Sequence, residues 1–177
     1  MLVTGARGQL GQAVCRRLNQ LGIPFWGPGS AELDVTDEGA AMAAIRAYGP
    51  GAVIHCAAFT AVDRAEAQRE DCFRVNVLGT AHVARACREA GARMMYISTD
   101  YVFDGAGDAP FETGHPKAPV NYYGLTKAQG EEEVLRCLEE SFILRISWVF
   151  GHGGNNFVNT MLRLGARGES LGVVADQ

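Results

Sequence analysis

Three glycines, Gly5, Gly8 and Gly11, constrain the fold of this chain more than any other feature of its sequence. They follow the short apolar segment 1–4, which predicts a strand, and they precede apolar residues at helical spacing from 9 to 21. In this position, glycines permit a tight turn, close approach of the backbone to a pyrophosphate, and close helix–strand packing. The order of strand, glycine loop and helix therefore predicts a dinucleotide-binding loop, with a glycine-rich turn that binds nothing as the alternative.

The rest of the chain alternates short apolar segments with helical ones. Strands are predicted at 23–26, 52–56, 93–98, 142–146 and 171–174, and helices at 37–48, 70–90, 122–139 and 156–166. Strands separated by helices join through right-handed crossovers, so we predict an α/β fold with a doubly wound parallel sheet, Rossmann-like. A parallel sheet is covered on both faces, and nothing follows the last predicted strand. We therefore expect residues 1–170 to form the dinucleotide-binding domain and 171–177 to begin a truncated substrate-binding portion.

Composition excludes several classes of function. The chain has 16 Lys+Arg against 20 Asp+Glu and only two lysines, so it lacks the basic stripe of a nucleic-acid-binding protein. The longest apolar stretch, 51–62, is too short to span a bilayer, and no secretory signal is visible, which predicts a cytoplasmic protein without a membrane partner. Five widely spaced cysteines without a C-x-x-C pair predict free, buried thiols and no metal site.

The choice of dinucleotide depends on the residues around the second predicted strand. Folds that bind NAD often place an acidic residue at the end of this strand, where it binds the ribose hydroxyls. Here no acid occurs after residue 23 until Glu32, and Arg7 inside the glycine loop is placed either to pair with a 2′-phosphate or to face solvent. This pattern favours NADPH, with NADH as the alternative.

Tyr123 and Lys127 form the candidate catalytic pair. They lie four residues apart at the start of a predicted helix, so their side chains share one face. A phenol with an ordinary pKa near 10 is a poor acid–base group at neutral pH unless a neighbouring cation stabilises its phenolate. The segment 98–100 ends a predicted strand, and ligands bind at the carboxyl ends of such strands. The alternative is a surface tyrosine–lysine pair without chemistry.

Longer motifs carry a family resemblance. They are C-A-A-F-T-A-V-D-R-A-E at 56–66, S-T-D-Y-V-F-D-G at 98–105, Y-G-L-T-K at 123–127, R-I-S-W-V-F at 145–150 and G-N-N-F at 154–157. Together with the glycine loop, they resemble the extended short-chain dehydrogenase/reductase superfamily and, within it, the dTDP-4-dehydrorhamnose reductase family. The resemblance implies NAD(P)H-dependent reduction of the C4 keto group of dTDP-4-dehydro-L-rhamnose to dTDP-L-rhamnose, with a nucleotide sugar as the binding partner.

The resemblance also implies roles for individual residues. Tyr123 would donate a proton to the keto oxygen, Lys127 would hold the nicotinamide ribose and lower the tyrosine pKa, and Thr99 would hydrogen-bond near the same oxygen. Besides Tyr123 and Lys127, the implied cofactor-binding residues are Gly5, Gly8, Gln9, Leu10, Gly11, Asp34, Val35, Ala58, Phe59 and Thr60. The implied substrate-binding residues are Thr99, Asp100, Trp148 and Asn156.

Several of these assignments have structural alternatives. Trp148 sits among apolar residues and could belong to the core. Asn156 precedes a predicted helix and could cap it. The charged residues Asp63, Arg64 and Glu66 are better explained as a solvated helix start than as ligands.

Two other functions fit the same resemblance. A related sugar-nucleotide epimerase or dehydratase is one, although a dehydratase needs an Asp-Glu pair where this chain has Asp100 followed by Tyr101. A non-catalytic dinucleotide-binding subunit, similar to the regulatory subunit of methionine adenosyltransferase, is the other. Retention of Thr99, Tyr123 and Lys127 favours an enzyme, and a homodimer is left open as its assembly.

Overall fold

The computed structural model describes residues 1–106, 109–151, 153–154, 156–168 and 172–173. The chain divides into two compact units, Met1–Ser147 and Trp148–Gln177. The boundary predicted at residue 170 lies inside the second unit and stays a prediction.

The first unit is built on four parallel strands in sequential order. They are β1 (Leu2–Thr4), β2 (Ala52–His55), β3 (Arg93–Thr99) and β4 (Ser141–Ile146). Leu2 pairs with Val53 on one side and with Trp26, through an isolated parallel bridge, on the other. The chain thus turns toward one edge after β1 and returns on the other side to form β2, which makes this the topological switch point. The predicted doubly wound parallel sheet is confirmed.

The strand predicted at 23–26 is wrong, because only Trp26 pairs with the sheet. Proline at position 24 has no N–H to donate to a ladder, and Gly27, Pro28 and Gly29 end the pairing immediately afterwards. The backbone of Trp26 still makes two hydrogen bonds, to Met1 O and from Val3 N, both at 2.9 Å.

Six α-helices belong to the described part of this unit. They are α1 (Gln9–Gln20), α2 (Glu38–Tyr48), α3 (Val62–Ala67), α4 (Arg69–Phe73), α5 (Thr80–Ala90) and α6 (Tyr122–Cys137). A π-helical segment, Arg74–Gly79, joins α4 to α5, and a 3₁₀ turn, Asp100–Val102, follows β3. The helices predicted over 9–21, 37–48, 70–90 and 122–139 are confirmed, whereas α3 was predicted only as a helix start.

The ends of these helices follow local chemistry. The carboxylate of Asp37 accepts a hydrogen bond from Ala40 N at 2.9 Å and so caps α2. Gly91 ends α5 in the left-handed conformation, with φ of +65°. Both residues are of types that commonly end helices in this way.

The hydrophobic core lies between the sheet and the helices α2, α5 and α6. Its largest buried apolar side chains are Leu2, Val53, Met94, Tyr96, Ile45, Val83 and Val134. All five cysteines are free thiols, as predicted, with Cys72, Cys87 and Cys137 buried and Cys15 and Cys56 partly buried.

In the second unit, α7 spans Phe157–Gly165, which confirms the helix predicted over 156–166. The final predicted strand, 171–174, lies mostly outside the described residues, and Gly172 and Val173 are not in a strand. Over the described residues, no helix is long and apolar enough to cross a membrane.

Candidate active site

Two of the loop glycines are required by the packing of the protein itself. Gly5 has φ of +63°, and a Cβ there would lie 2.6 Å from Ala57 N. A Cβ on Gly11 would lie 2.3 Å from the carbonyl oxygen of Gly5. Neither position has room for a side chain, so these glycines hold the end of β1 tightly against both α1 and the segment after β2.

Gly8 differs from its two neighbours in the motif. Its φ of −73° is one that any residue can adopt. A Cβ added at Gly8 would have one neighbouring atom within 4 Å, the carbonyl oxygen of Gly5, at a distance of 3.3 Å. No side chain caps α1 at this residue, and no acidic residue stands in the first helical turn, which holds Gln9 and Leu10. The space beside Gly8 and the uncompensated positive end of the helix dipole therefore fit a diphosphate group.

Arg7 lies on the exposed side of the glycine loop. Its guanidinium is 3.4 Å from the carboxylate of Glu32, which also accepts a hydrogen bond from Gly29 N at 2.8 Å. That backbone hydrogen bond, with the charge of Arg7, lowers the pKa of Glu32. The first acidic residue after Trp26 is thus paired with the basic residue of the loop, and both side chains remain largely exposed.

Asp34 and Val35 follow in an irregular segment before α2. The Asp34 carboxylate accepts hydrogen bonds from Thr36 N and Oγ1, at 2.9 and 2.8 Å, and these two bonds lower its pKa. The buried Val35 has its carbonyl oxygen 3.0 Å from His82 Nδ1, which donates to it. Their implied role in cofactor binding stays a prediction.

Ala58, Phe59 and Thr60 lie just beyond the carboxyl end of β2, as predicted. Their backbone is held by Asn76, a fully buried residue of the π-helical segment. Asn76 Oδ1 accepts from Phe59 N at 2.8 Å, and Asn76 Nδ2 donates to Phe59 O at 3.1 Å. Sequence reasoning missed Asn76, and its only signal was a polar residue among the apolar positions of a predicted helix.

Tyr123 and Thr99 are brought together from the start of α6 and the end of β3. Burial raises the pKa of Tyr123 to about 12, a hydrogen bond with the Thr99 hydroxyl opposes this, and the charge of Asp100 adds to it. Thr99 Oγ1 in turn donates to Asp100 Oδ1 at 2.9 Å. Tyr123 is therefore a protonated phenol at neutral pH, able to donate its proton at the carboxyl edge of the sheet.

Close approach of two backbones places Tyr123 there. A Cβ on the next residue, Gly124, would lie 2.1 Å from Tyr101 O, so α6 can begin against the 3₁₀ turn only with glycine. Asn121 caps the helix by accepting a hydrogen bond from Gly124 N at 2.7 Å. The sequence analysis did not identify Asn121 or Gly124. An asparagine immediately before a predicted helix is a common N-cap, so the role of Asn121 could have been predicted.

Lys127 is buried one turn after Tyr123, with 2% of its surface exposed. Its Nζ donates to Ile97 O at 2.7 Å and lies 4.0 Å from the centre of the Tyr96 ring. Burial lowers the pKa of Lys127 to about 7, and the charge of Glu131 opposes that shift. The expected lowering of the Tyr123 pKa by Lys127 is not what the structure shows, because burial dominates and the ammonium group is bound to β3.

The charged start of α3 is exposed, as predicted, but one member has a structural role that the sequence did not reveal. Glu66 accepts a hydrogen bond from Tyr122 N at 2.7 Å and pairs with Arg69 at 2.8 Å. The Arg69 guanidinium lies 4.8 Å from the centre of the Tyr122 ring. Glu66 thus ties α3 to the first residue of α6, next to Tyr123.

The two predicted substrate residues of the second unit lie at its beginning. Trp148 is 66% exposed, so the alternative that placed it in the core is wrong. Its φ of +49° is unusual for a bulky residue, and its ring meets Phe157 edge-on at 6.1 Å. Asn156 Oδ1 accepts from Asn159 N at 3.0 Å, which confirms the capping alternative, while its contact with substrate stays a prediction.

A doubly wound parallel sheet with a glycine loop at its switch point places this chain in the class of Rossmann-like α/β proteins. More narrowly, a family model described as RmlD substrate binding domain matches residues 1–177. The chain belongs to that family.

Named relatives agree with this assignment. The chain is 43% identical to a dTDP-4-dehydrorhamnose reductase of Streptomyces griseus, over 99% of this chain and 58% of the relative. It is 40% identical to the spore coat polysaccharide biosynthesis protein SpsK of Bacillus subtilis, over 100% of this chain and 62% of the relative. The predicted resemblance to dTDP-4-dehydrorhamnose reductases is confirmed.

Among solved structures, a dTDP-4-dehydrorhamnose reductase of Bacillus anthracis in complex with NADP superposes with a TM-score of 0.97. Its sequence is 41% identical, and the match covers 99% of this chain and 63% of that one. This chain therefore spans about three-fifths of the length of the relatives it matches.

Proposed function

We propose that this chain is the dinucleotide-binding part of a reductase that uses NADPH to convert dTDP-4-dehydro-L-rhamnose to dTDP-L-rhamnose. The observation that carries the proposal is the buried, protonated Tyr123 beside Thr99, at the sheet edge where Gly8 leaves room for a diphosphate. The similarity to dTDP-4-dehydrorhamnose reductases, one of them in complex with NADP, supports the substrate and the cofactor.

Cofactor binding is assigned to residues at the carboxyl ends of β1, β2 and β3. The first turn of α1, with Gly8, Gln9 and Leu10, faces the diphosphate, and the segment 58–60 lines the site next to it. The NADP complex of a reductase 41% identical to this chain supports NADPH over NADH. Arg7 is paired with Glu32, so its guanidinium would have to leave that carboxylate to bind a 2′-phosphate. We assign residues 1–170 to this domain and 171–177 to the beginning of the substrate-binding portion.

A bound NADPH supplies the hydride that the C4 carbon of the ketone receives. As negative charge builds on the keto oxygen, the Tyr123 hydroxyl donates its proton to that oxygen. A pKa of about 12 keeps this phenol protonated at neutral pH, and an alkoxide is more basic than the phenolate that is left behind. The Thr99 hydroxyl, which acts on the pKa of Tyr123, is assigned to the neighbourhood of the keto oxygen, and the Lys127 ammonium group is assigned to the nicotinamide ribose.

Substrate contacts are assigned to Thr99, Asp100, Trp148 and Asn156, as the family resemblance implies. The exposed indole of Trp148 offers a flat apolar surface for a sugar or a base. A cytoplasmic location belongs to the same proposal and is supported by the five free thiols, which are typical of a reducing compartment.

The test is NADPH oxidation by the enzyme that carries this chain, with and without the keto sugar nucleotide. We expect Tyr123→Phe to lower kcat by at least about 10², the usual scale of positioned acid catalysis, while NADPH still binds. Tyr122→Phe is the matched control, because it removes a phenol from the adjacent position and should leave turnover nearly unchanged.

Two results would overturn the proposal. One is the absence of substrate-dependent NADPH oxidation in the wild-type enzyme. The other is near-normal turnover in Tyr123→Phe, which would remove this phenol from the proton transfer.

A further inference from the structure

Glu131 is a buried carboxylate that the proposed mechanism does not use. It lies on α6, one turn after Lys127 and two turns after Tyr123, and only 1% of its surface is exposed. Burying an ionised carboxylate costs several kcal/mol unless other charges and hydrogen bonds compensate for the lost water. The partners of Glu131 should therefore show what the charge is for.

Three side chains surround Glu131 and form, with it, what we term the Glu131 cluster. Arg145 binds the carboxylate with two parallel hydrogen bonds, from Nε at 2.9 Å and from Nη2 at 2.8 Å. Ser98 Oγ donates at 2.6 Å, and Lys117 Nζ lies 3.7 Å away. Burial by itself would raise the pKa of Glu131, but these hydrogen bonds and charges hold it below its ordinary value. Glu131 is therefore ionised at neutral pH.

The cluster lies directly against the candidate catalytic residues. Ser98 and Arg145 are register partners on β3 and β4, and Ser98 immediately precedes Thr99. The neighbouring residue, Ile97, receives the Lys127 hydrogen bond through its carbonyl oxygen. Two consecutive residues of β3 thus anchor α6, one through Lys127 and one through Glu131.

The charge of Glu131 also acts on Lys127. The titratable groups that face Lys127 from the packed elements are His55 and Tyr96 on the strands, Cys56 after β2, Cys72 on α4 and Glu131 on α6. Burial raises the pKa values of Cys72, Tyr96 and Cys56, the last to about 12, so these three groups are protonated and neutral at neutral pH. Burial lowers the pKa of His55 to about 3, so this imidazole is neutral as well. Within this set, Glu131 is the group that carries charge at neutral pH.

We propose that Glu131, held by Arg145, is a positioning residue of this active site that anchors α6 at the end of β3 and favours the ammonium form of Lys127. The inference rests on the proposed function at one point, namely that the Lys127 ammonium group helps to bind NADPH. Lys127 sits close to its midpoint at neutral pH, so loss of the neighbouring carboxylate converts most of it to the neutral amine.

The first test measures the protonation of Lys127 without any cofactor. The chain has only two lysines, so ¹³Cε labelling of lysine gives two NMR signals, which Lys117→Arg assigns. We expect Lys127 to titrate near pH 7 in the wild type and about one unit lower, or more, in Glu131→Gln. Glu133→Gln is the matched control, since it removes the same charge from the same helix at a residue paired with Arg136, and should leave the titration unchanged.

An unchanged Lys127 titration in a folded Glu131→Gln variant would overturn the inference, since a purely structural Glu131 would alter only stability. Glu131→Gln leaves Arg145 without its partner, and if that variant does not fold, Glu131→Gln combined with Arg145→Met replaces the whole pair. Arg145 is not among the groups that shift the pKa of Lys127, so the double variant should titrate low as well.

The second test measures NADPH affinity against pH. Wild-type affinity should fall as pH rises through about 7, and a one-unit shift in Glu131→Gln should weaken binding about fivefold at neutral pH. If the NMR shift occurs but affinity does not follow it, the assignment of Lys127 to the cofactor is wrong, while its control by Glu131 stands.

Discussion

Replacement of Gly8 by valine tests whether the glycine loop binds a dinucleotide or is only a turn. Gly8 has ordinary backbone angles, and a Cβ there would have a single neighbour, Gly5 O at 3.3 Å, within 4 Å. The protein should therefore accept the substitution. We expect a cost of about 1 kcal/mol, because valine is a poor residue at a helix N-cap. This corresponds to a melting temperature lower by roughly 2–4 °C for a chain of this size.

The effect on affinity should be much larger than the effect on stability. A branched side chain at Gly8 fills the space in front of the first turn of α1, where the diphosphate is proposed to bind. Each charge-assisted hydrogen bond that is lost contributes about 1.5–3 kcal/mol. Loss of one or two such bonds weakens NADPH binding by at least about tenfold, and by 10² or more if both are lost.

The assay is a fluorescence titration of NADPH, with thermal unfolding measured on the same samples. Gly51→Val is the matched control, because Gly51 also faces open space but lies at the opposite edge of the sheet, before β2. Gly5→Ala is the contrasting variant. It combines φ of +63° with a contact of 2.6 Å to backbone, so it should lower stability by about 2–4 kcal/mol.

Unchanged NADPH affinity in a folded Gly8→Val protein would refute this reasoning. The loop would then be a turn that packs β1 against α1, and the room beside Gly8 would have no ligand. Equal loss of affinity in Gly51→Val would refute it too, since binding would then depend on general stability rather than on space at the loop.

Two further predictions concern stability. The pKa of Lys127 is about 7 in the folded protein against an ordinary value of 10.5, so above pH 7 the unfolded chain binds more protons. The contribution of Lys127 to the free energy of unfolding should therefore rise between pH 7 and about 8.5, by at most about 1.4 kcal/mol per unit. The buried cysteines, whose pKa values are raised, act in the opposite direction over the same range, so the quantity to measure in urea titrations is the difference between wild type and Lys127→Met. A difference between wild type and Lys127→Met that stays flat or falls over that range would contradict a lowered pKa of the buried Lys127. Gly124→Ala should cost about 1–3 kcal/mol, because its Cβ would overlap Tyr101 O at 2.1 Å, and should lower kcat more than Leu125→Ala does on the exposed side of the same turn. Wild-type stability in Gly124→Ala would show that α6 does not need this close approach to place Tyr123.

Features that depend on neighbours along the chain were readable from the sequence. The glycine loop, the Asp37 and Gly91 caps and the Tyr123–Lys127 spacing each involve residues within one or two helical turns. Hydrophobic periodicity is local in the same sense, and it predicted the order of the helices and of the four paired strands. Among the strands predicted within residues 1–147, the segment 23–26 failed, because whether an apolar run that contains a proline pairs with a sheet depends on its tertiary neighbours.

The sequence also misjudged the electrostatics of its own candidate site. It predicted that Lys127 lowers the pKa of Tyr123, since the two are close on one helix face. Whether a cation acts on a phenol depends on where both side chains point and on how much water reaches them. Tertiary packing buried Tyr123 and turned the ammonium group toward Ile97 O, so the pKa rises instead.

By itself, the sequence determined the class of fold and the position of the glycine loop, and it pointed to Tyr123 as the candidate acid, because these follow from short-range pattern. Only the tertiary structure decided which polar groups support them. Asn76 reaches Phe59 from 17 residues away, and Arg145 reaches Glu131 from 14 residues away on another element. Contacts of this kind depend on how the helices pack against the sheet, because residues far apart in the sequence become neighbours only in the folded protein. A buried charge is therefore paired only once that packing has formed.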